Sequence, residues 1–387
     1  MKIVIFDGSF KTTTFINRLI EGLANEHEIF VLGFNESVKL KITGVNYVGL
    51  GSDTSNLTLV LRSAMLRGIN LIKQFKLVLQ LSKGLKTEIF EDNFQLAIDA
   101  IQPDIIHFQW VSVLSYLKDL QLPNHTKTVL SQRGFQINVR PFVNLDNMLF
   151  LKDAFRKLDG FHSVSRAIKE KSNQIYASSS KIDHIVYSGF DVESFNFKNS
   201  WNTSEKLQIL SIGRDHWKKD YRTAILAMSI LKENNIPFHY TIVGVDKSEE
   251  LFFLVNDLNL NDYVTFFDSL SQKKVYEKML DSDLLLLPSI EEGIANVCIE
   301  AMFSKLPVIS TDCGGMSELI LNNKTGFLVP TRSPKAIANK ILFFSKLQEV
   351  DILKLVNAAY DKAKSQHNIE KMLDGMISLY RKVHENN

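Results

Sequence analysis

Cysteine is nearly absent: Cys298 and Cys313 are the only two in a chain of 387 residues. Two thiols in a chain this long make neither a disulfide framework nor a four-ligand zinc site. Charge of one sign is not in excess either. Lys plus Arg number 45 and Asp plus Glu 43, a net charge of +2, where a dedicated nucleic-acid binder presents a strongly basic face. No apolar run approaches the ~20 residues that span a bilayer. With 8 prolines and 18 glycines the chain is neither collagen-like nor low-complexity. The opening MKIVIFDGSF lacks the long apolar core and cleavage site of a signal peptide and reads as a strand and a turn. No G-x-G-x-x-G follows a strand, which argues against a dinucleotide-dependent dehydrogenase. The expectation is a globular protein of the reducing cytoplasm.

What the chain has is a repeated alternation. Short apolar runs rich in Val, Ile and Phe (KIVIF 2–6, EIFVLGF 28–34, DIIHF 104–108, KTVLS 127–131, HIVYS 184–188) alternate with helical patterns. The alternation then runs a second time: LQILSIG 207–213, FHYTIVG 238–244, YVTFF 263–267, DLLLLPS 283–289 and LPVIST 306–311. Near-continuous apolar strands separated by helices predict parallel sheets covered on both faces. A polar, turn-rich stretch at 190–206 separates the two runs. The reading is α/β: two Rossmann-like, doubly wound domains, 1–195 and 196–365, facing a cleft, with ligands at the carboxyl ends of the strands.

Three segments of the second half carry chemistry. In SIGRDHWKKDY (211–221), Arg214 and Lys219 stand in a loop between a strand and a helix, with Gly213 allowing close backbone approach. Two cations beside a helix N-terminus suit a diphosphate, and a solvated basic loop has the same composition. In PSIEEGIANVCIEAM (288–302), Glu292 is expected in a strand-end loop and Glu300 on the helix that follows, which begins near Ala295 or Asn296. Carboxylates accept from paired sugar hydroxyls, and exposed helix N–H groups donate to phosphate or sugar oxygens. In STDCGGMSELILNNKTGFLVP (310–330), Gly314 and Gly315 read as a tight turn. Asp281-Ser282-Asp283 has the Asp-x-Asp form of a metal site, but it precedes an apolar strand and so stands at the wrong end of the sheet; no metal site is expected.

Taken in order, GRDHWKKD, the Glu292–Glu300 pair, LPVIST, CGGMSELI and TGFLVP resemble the retaining GT-B glycosyltransferases of family 4, the glycosyl transferases group 1. QPDIIHFQW, SVSRAIKE and IVYSGFDVESF agree more weakly, in the same order. The resemblance implies that Arg214, Lys219 and Glu292 do the catalytic work: the cations hold the donor diphosphate and Glu292 contacts the donor sugar. It implies that Glu300 holds the ribose hydroxyls, and that Gly8, Gly213, Gly293, Ile294, Ala295, Asn296 and Val297 line the donor. It implies a tail, 366–387, crossing back to the first domain. The implied donor is a UDP- or GDP-sugar with no metal or other cofactor. The implied acceptor is a glycan or lipid-linked sugar in surface polysaccharide assembly. Other enzymes of this fold, epimerases and phosphorylases, and a non-catalytic nucleotide-sugar-binding scaffold are the rivals.

The chain departs from that family in three places. The first loop, DGSFKTTTF, has Gly8 alone where a Gly-Gly pair is usual, with Lys11 nearby. His107 matches a family histidine, but Gln109 stands where a second often follows. Asp220 stands where glycine commonly follows the lysine. His107, Gln109, Arg133 and Arg140 are the acceptor-side candidates, the two arginines suiting an anionic acceptor or a plain solvated surface.

One charge asymmetry is local. From Thr54 to Thr87 there is no Asp or Glu, while Arg62, Arg67, Lys73, Lys76, Lys83 and Lys86 lie among apolar residues. On a single helix the lysines fall on one side and Leu71, Ile72, Phe75, Val78 and Leu79 on the other. Such a helix packs its apolar side on the sheet, or lays residues 62–86 on the anionic inner face of a membrane.

Overall fold

The computed structural model describes residues 1–10, 12–34, 41–198, 200–201 and 206–385. It forms two compact units. The first is Met1–Val164, Ile168–Phe190 and the chain from Ile369 onwards; the second is Ser165–Ala167 and Asp191–Asn368.

The first unit is built on a seven-stranded sheet: β1 (Lys2–Ser9), β2 (Glu28–Phe34), β3 (Val45–Gly49), β4 (Ile105–Phe108), β5 (Lys127–Gln132), β6 (Gly160–Ser163) and β7 (Ile182–Ile185). Its order is β3-β2-β1-β4-β5-β6-β7 and every pairing is parallel. β1 shows why KIVIF is a strand. Successive side chains point to opposite faces, and both faces are buried. Val4 and Phe6 enter one core with Phe94 and Phe108; Ile3 and Ile5 enter another with Met376, Leu379 and Tyr380 of the helix Ile369–Glu385. The last helix is thus part of the first unit's core.

The second unit has six strands: β8 (Leu207–Ile212), β9 (Phe238–Val243), β10 (Val264–Phe267), β11 (Leu284–Leu287), β12 (Val308–Thr311) and β13 (Phe327–Val329). Their order is β10-β9-β8-β11-β12-β13, again all parallel. In both sheets the strand order reverses once, between β1 and β4 and between β8 and β11. In open α/β sheets ligands sit outside the carboxyl ends at that reversal. The loops at that reversal are those after β1 and β4 in one unit and after β8 and β11 in the other.

The Asp281-Ser282-Asp283 motif lies just before β11, at its amino end. Asp283 accepts from the Gln208 N–H at 2.9 Å and pairs with Lys198 at 3.5 Å, so it serves the start of the sheet. Among the described residues no helix is long and apolar enough to cross a membrane.

Candidate active site

In the second unit, the loops after β8 and β11 meet around one carboxylate. Glu292 is 7% exposed. Its Oε1 takes the Lys219 ammonium at 2.6 Å and the Ser289 hydroxyl at 3.1 Å; its Oε2 lies 3.4 Å from Lys218 Nζ. Burial pushes the Glu292 carboxyl up, but the two lysines outweigh it and hold the group below the ordinary glutamate value. A backbone bond ties the two loops together as well, from Ile290 N–H to the Lys218 carbonyl at 2.7 Å.

Glycine makes the approach possible. A Cβ on Gly213 would stand 2.9 Å from Lys219 Cε and 3.0 Å from Tyr221 Oη, so a side chain here would push the lysine stem away from its path across the end of β8. Arg214, next in the loop, is exposed. Downstream of Glu292, Gly293 is buried and Ile294 half-buried. The helix Asn296–Phe303 then starts at Ala295, which offers no side-chain cap, so the N–H groups of Asn296 and Val297 are available to an anion. Glu300 sits half-buried in this helix. Cys298 and Cys313 are buried free thiols; burial raises both, Cys313 to about 12, which leaves them inert.

In the first unit, the ends of β1 and β4 carry a buried polar chain. Gly8 follows Asp7 at φ 89°, beside Val113. Asp7 is raised to about 6 by burial, against the pull of the Ser9 N–H and Arg133. His107 is fully buried. Its Nδ1 lies 2.7 Å from Tyr380 Oη and 3.0 Å from Gln109 Nε2; its Nε2 lies 2.8 Å from Ser131 Oγ. Ser131 Oγ continues to His162 Nδ1 at 2.7 Å, and His162 Nε2 ends on the Val186 carbonyl at 2.9 Å. That carbonyl fixes the direction of the whole chain. It only accepts, so His162 donates from Nε2 and accepts at Nδ1 from Ser131; Ser131 accepts from His107 Nε2–H; His107 Nδ1 accepts from Tyr380 and Gln109. Both imidazoles are neutral, in keeping with burial, which lowers His162 to about 3 and His107 well below its usual value. The Gln109 amide oxygen is left facing Arg133, which donates to it and to the Gln109 carbonyl, each at 3.1 Å. Arg133 also lies over the rings of Phe15 and Trp110 at 4.4 and 5.2 Å, and burial lowers it to about 9. Arg140 is exposed on the short helix Arg140–Val143. Lys11 lies outside the described residues.

Residues 192–366 match the family model described as glycosyl transferases group 1. This segment is a glycosyl transferases group 1 domain. The amylovoran biosynthesis glycosyltransferase AmsK of Erwinia amylovora is 32% identical over 212 residues, 53% of this chain and 52% of that protein. The colanic acid biosynthesis glycosyltransferase WcaL, so named putatively in Escherichia coli K12, is 32% identical over 49% of each chain. The match thus spans about half the length of these curated relatives. The crystal structure of Anabaena HepE in complex with UDP superposes with a TM-score of 0.74 at 16% identity, covering 99% of this chain and 100% of that one. The fold is therefore GT-B, two Rossmann-like parallel sheets.

The group 1 domain brings Lys219 and Glu292 into direct contact, places Arg214 and Gly213 in the loop after β8 and the Ala295 helix start in the loop after β11, and carries Glu300 in that helix. Three participants escaped the sequence reading. Lys218 joins because the 3₁₀ turn Trp217–Lys219 turns both halves of a lysine doublet toward Glu292. Ser289 is reached from the strand end. Gly244 supports the β8 loop, since a Cβ there would lie 2.6 Å from the Gly213 carbonyl.

The domain also explains Asp220. Its φ is 48°, the left-handed region that favours glycine, and its carboxylate caps the helix Tyr221–Glu233 by accepting from Thr223 N–H at 3.3 Å and Thr223 Oγ1 at 2.7 Å. The cap offsets the backbone strain. Asp220→Ala is expected to lower stability by about 1 kcal/mol, and Asp220→Gly by much less. Urea unfolding of the two variants side by side checks this; equal losses would refute the compensation.

Proposed function

We propose that the chain is a metal-independent, retaining glycosyltransferase that moves a sugar from a nucleotide diphosphate to a glycan or lipid-linked acceptor, in surface polysaccharide assembly at the cytoplasmic side of the membrane. The observation that carries this is the Lys218–Lys219–Glu292 cluster, set with Arg214 and an uncapped helix start at the β8/β11 reversal. Breaking the sugar–phosphate bond leaves growing negative charge on the diphosphate. Arg214, Lys219 and the N–H groups of Asn296 and Val297 offset that charge where it develops, the role a metal ion fills elsewhere. Lys219 has three N–H donors and gives one to Glu292, which aims the ammonium and leaves two for phosphate oxygens. Glu292 and Glu300 accept from hydroxyls of the donor sugar and its ribose. In this reading the departing phosphate takes the acceptor proton on the face it leaves as the acceptor oxygen bonds to the anomeric carbon, and configuration is retained.

Supporting this reading, relatives of the group 1 domain are named for amylovoran and colanic acid biosynthesis, and HepE was crystallised with UDP. On the first unit, Arg133 suits an anionic acceptor, held flat by Phe15 and Trp110 and aimed by Gln109. His107 acts through Gln109.

Thermal unfolding with UDP-, GDP- and ADP-sugars in EDTA tests the donor site. One base class, uridine first, is expected to stabilise by about 2.7 kcal/mol at a hundredfold excess over its Kd. Arg214→Ala and Glu300→Ala should lose the shift. A shift that appears only when Mg²⁺ or Mn²⁺ is added would sink metal independence, and none with any donor would favour a scaffold. The anomeric configuration of the transfer product decides retention.

A further inference from the structure

The helical hairpin Asn56–Arg67/Leu71–Ser82 of the first unit is inside out. Toward the unit it presents polar groups. Arg67, 4% exposed, donates to Asn93 Oδ1 at 2.7 Å and pairs with Asp92 at 3.4 Å; Lys76 and the buried Gln80 reach the same Asp92 at 2.9 Å each. The apolar contact beneath is small, centred on Leu59, Leu77 and Ile89. Toward solvent the hairpin presents its large apolar side chains. Leu57, Leu61 and Met65 follow each other at four-residue spacing on the first helix. Leu71, Ile72, Phe75 and Val78 recur at three- and four-residue spacing on the second, and Ile69 at the tip is wholly exposed. The reading in which this face packs on the sheet is thereby excluded. The single basic helix expected through residue 86 is also corrected: it ends at Ser82, and Gly84 at φ 68° turns the chain before the next helix, Lys86–Ile101.

We infer that this outward face seats the first unit on an anionic phospholipid surface. A helix that turns its leucines and isoleucines outward and its arginine inward has the polarity of an interfacial element, whose apolar side chains enter the headgroup–acyl boundary by ~5–10 Å. Charge selects the occupant. Lys73, Lys83 and Lys86 are exposed around the apolar set, and residues 54–87 contain no carboxylate. Two copies meeting through this face would bring like charges together, whereas anionic headgroups neutralise them. The other outward apolar set of this unit among the described residues, Phe142, Val143, Leu145 and Leu149, carries charges of both signs, Asp146 and Asp153 with Arg140, Lys152 and Lys171, and so lacks the carboxylate-free match. The inference rests on the proposed function only in naming the surface from which a lipid-linked acceptor is met.

Flotation of the full chain with phosphatidylcholine vesicles, with and without phosphatidylglycerol, tests it. Binding is expected to be at least tenfold tighter to the anionic vesicles at ~0.1 M salt and to weaken at ~1 M, where the screening length falls to ~3 Å. Ile72→Ser/Phe75→Ser should lose tenfold or more on anionic vesicles at either salt. Lys73→Gln/Lys83→Gln/Lys86→Gln should lose only the low-salt preference for phosphatidylglycerol. Because these side chains face outward, the melting temperature and the nucleotide-sugar shift should stay at wild-type values in both variants. A wild type that floats with neither vesicle, or variants that float as it does, would overturn the inference. So would self-association that Ile72→Ser/Phe75→Ser abolishes without any vesicle binding, which makes a second copy the occupant. Lost flotation with an intact nucleotide shift removes the lipid surface and leaves the enzyme; the converse removes the enzyme and leaves the surface.

Discussion

Lys219→Met should slow sugar transfer by about 10²–10³-fold, the usual effect of deleting one charge-stabilising donor from a reaction's leaving group. The loss should fall on kcat more than on the KM for donor, because the diphosphate carries most of its added charge only as the bond breaks. A second effect follows from the 2.6 Å contact with Glu292. In the variant that buried carboxylate keeps only Ser289 and the more distant Lys218, which costs about 1–3 kcal/mol of stability. Its sign with pH is fixed. In the wild-type protein the Glu292 carboxyl is held below its unfolded value, so it adds stability above the unfolded pKa and loses it as pH falls through the folded one. Removing Lys219 lets burial win and raises the carboxyl, so acid unfolding should begin at a higher pH. Initial rates together with urea unfolding across the acid range measure both. Near-wild-type kcat would mean that Lys219 only anchors Glu292. Lys218→Met is the natural comparison, and its effect should be smaller, because its 3.4 Å contact is looser and its carbonyl rather than its ammonium joins the loops.

Gly314→Ala is expected to be the most destabilising single methyl in the group 1 domain, at about 3–5 kcal/mol. A Cβ there would stand 1.7 Å from the Glu292 carbonyl oxygen, and φ is 52°. Two costs add: the left-handed backbone disfavours any side chain by about 1 kcal/mol, and the obstacle is main chain, which has no rotamer to yield. Gly315→Ala separates them. Its Cβ would lie 2.0 Å from the Gly293 carbonyl, but its φ of −89° is ordinary, so it should show the clash without the strain. In both variants the displaced segment is Glu292–Gly293, so the nucleotide-sugar shift should vanish even where the domain still folds. A melting temperature within a degree or two of wild type for Gly314→Ala would refute the argument.

These glycines show what was legible in the sequence. Gly314 and Gly315 read as a turn, but their contact with Glu292 and Gly293 is long-range and no local pattern encodes it. The doubly wound architecture was legible because strands such as LQILSIG and DLLLLPS are buried on both faces and so keep a near-continuous apolar signal. β3 and β6 carry no such signal. VNYVG is a half-exposed edge strand, and GFHS is buried with polar ends because His162 and Ser163 find partners inside: Ser131 and the Val186 carbonyl for one, Gln132 and Asp183 for the other. The candidate donor residues stood out as an ordered set in the two loops at the sheet reversal. The first-unit chain did not, since His107, Ser131, His162 and Tyr380 come from β4, β5, β6 and the last helix, and only sheet neighbourhood joins them. The helix face of 71–79 was legible as amphipathic; which side faced inward was not, because Asp92, the group that draws Arg67 and Lys76 toward the unit, lies five residues past the end of the carboxylate-free stretch at Thr87.

The bond from Tyr380 to His107 has a consequence for the order of events at the ribosome. The second unit is an insertion in the first: residues 191–368 must all be translated before Ile369–Glu385 can supply Met376, Leu379 and Tyr380 to the core beneath β1. The domain whose strands emerge first is therefore the one that matures last, and until that helix has emerged its sheet has an uncovered apolar face. That interval, in which the inserted domain is already complete, is when the nascent chain most needs a chaperone.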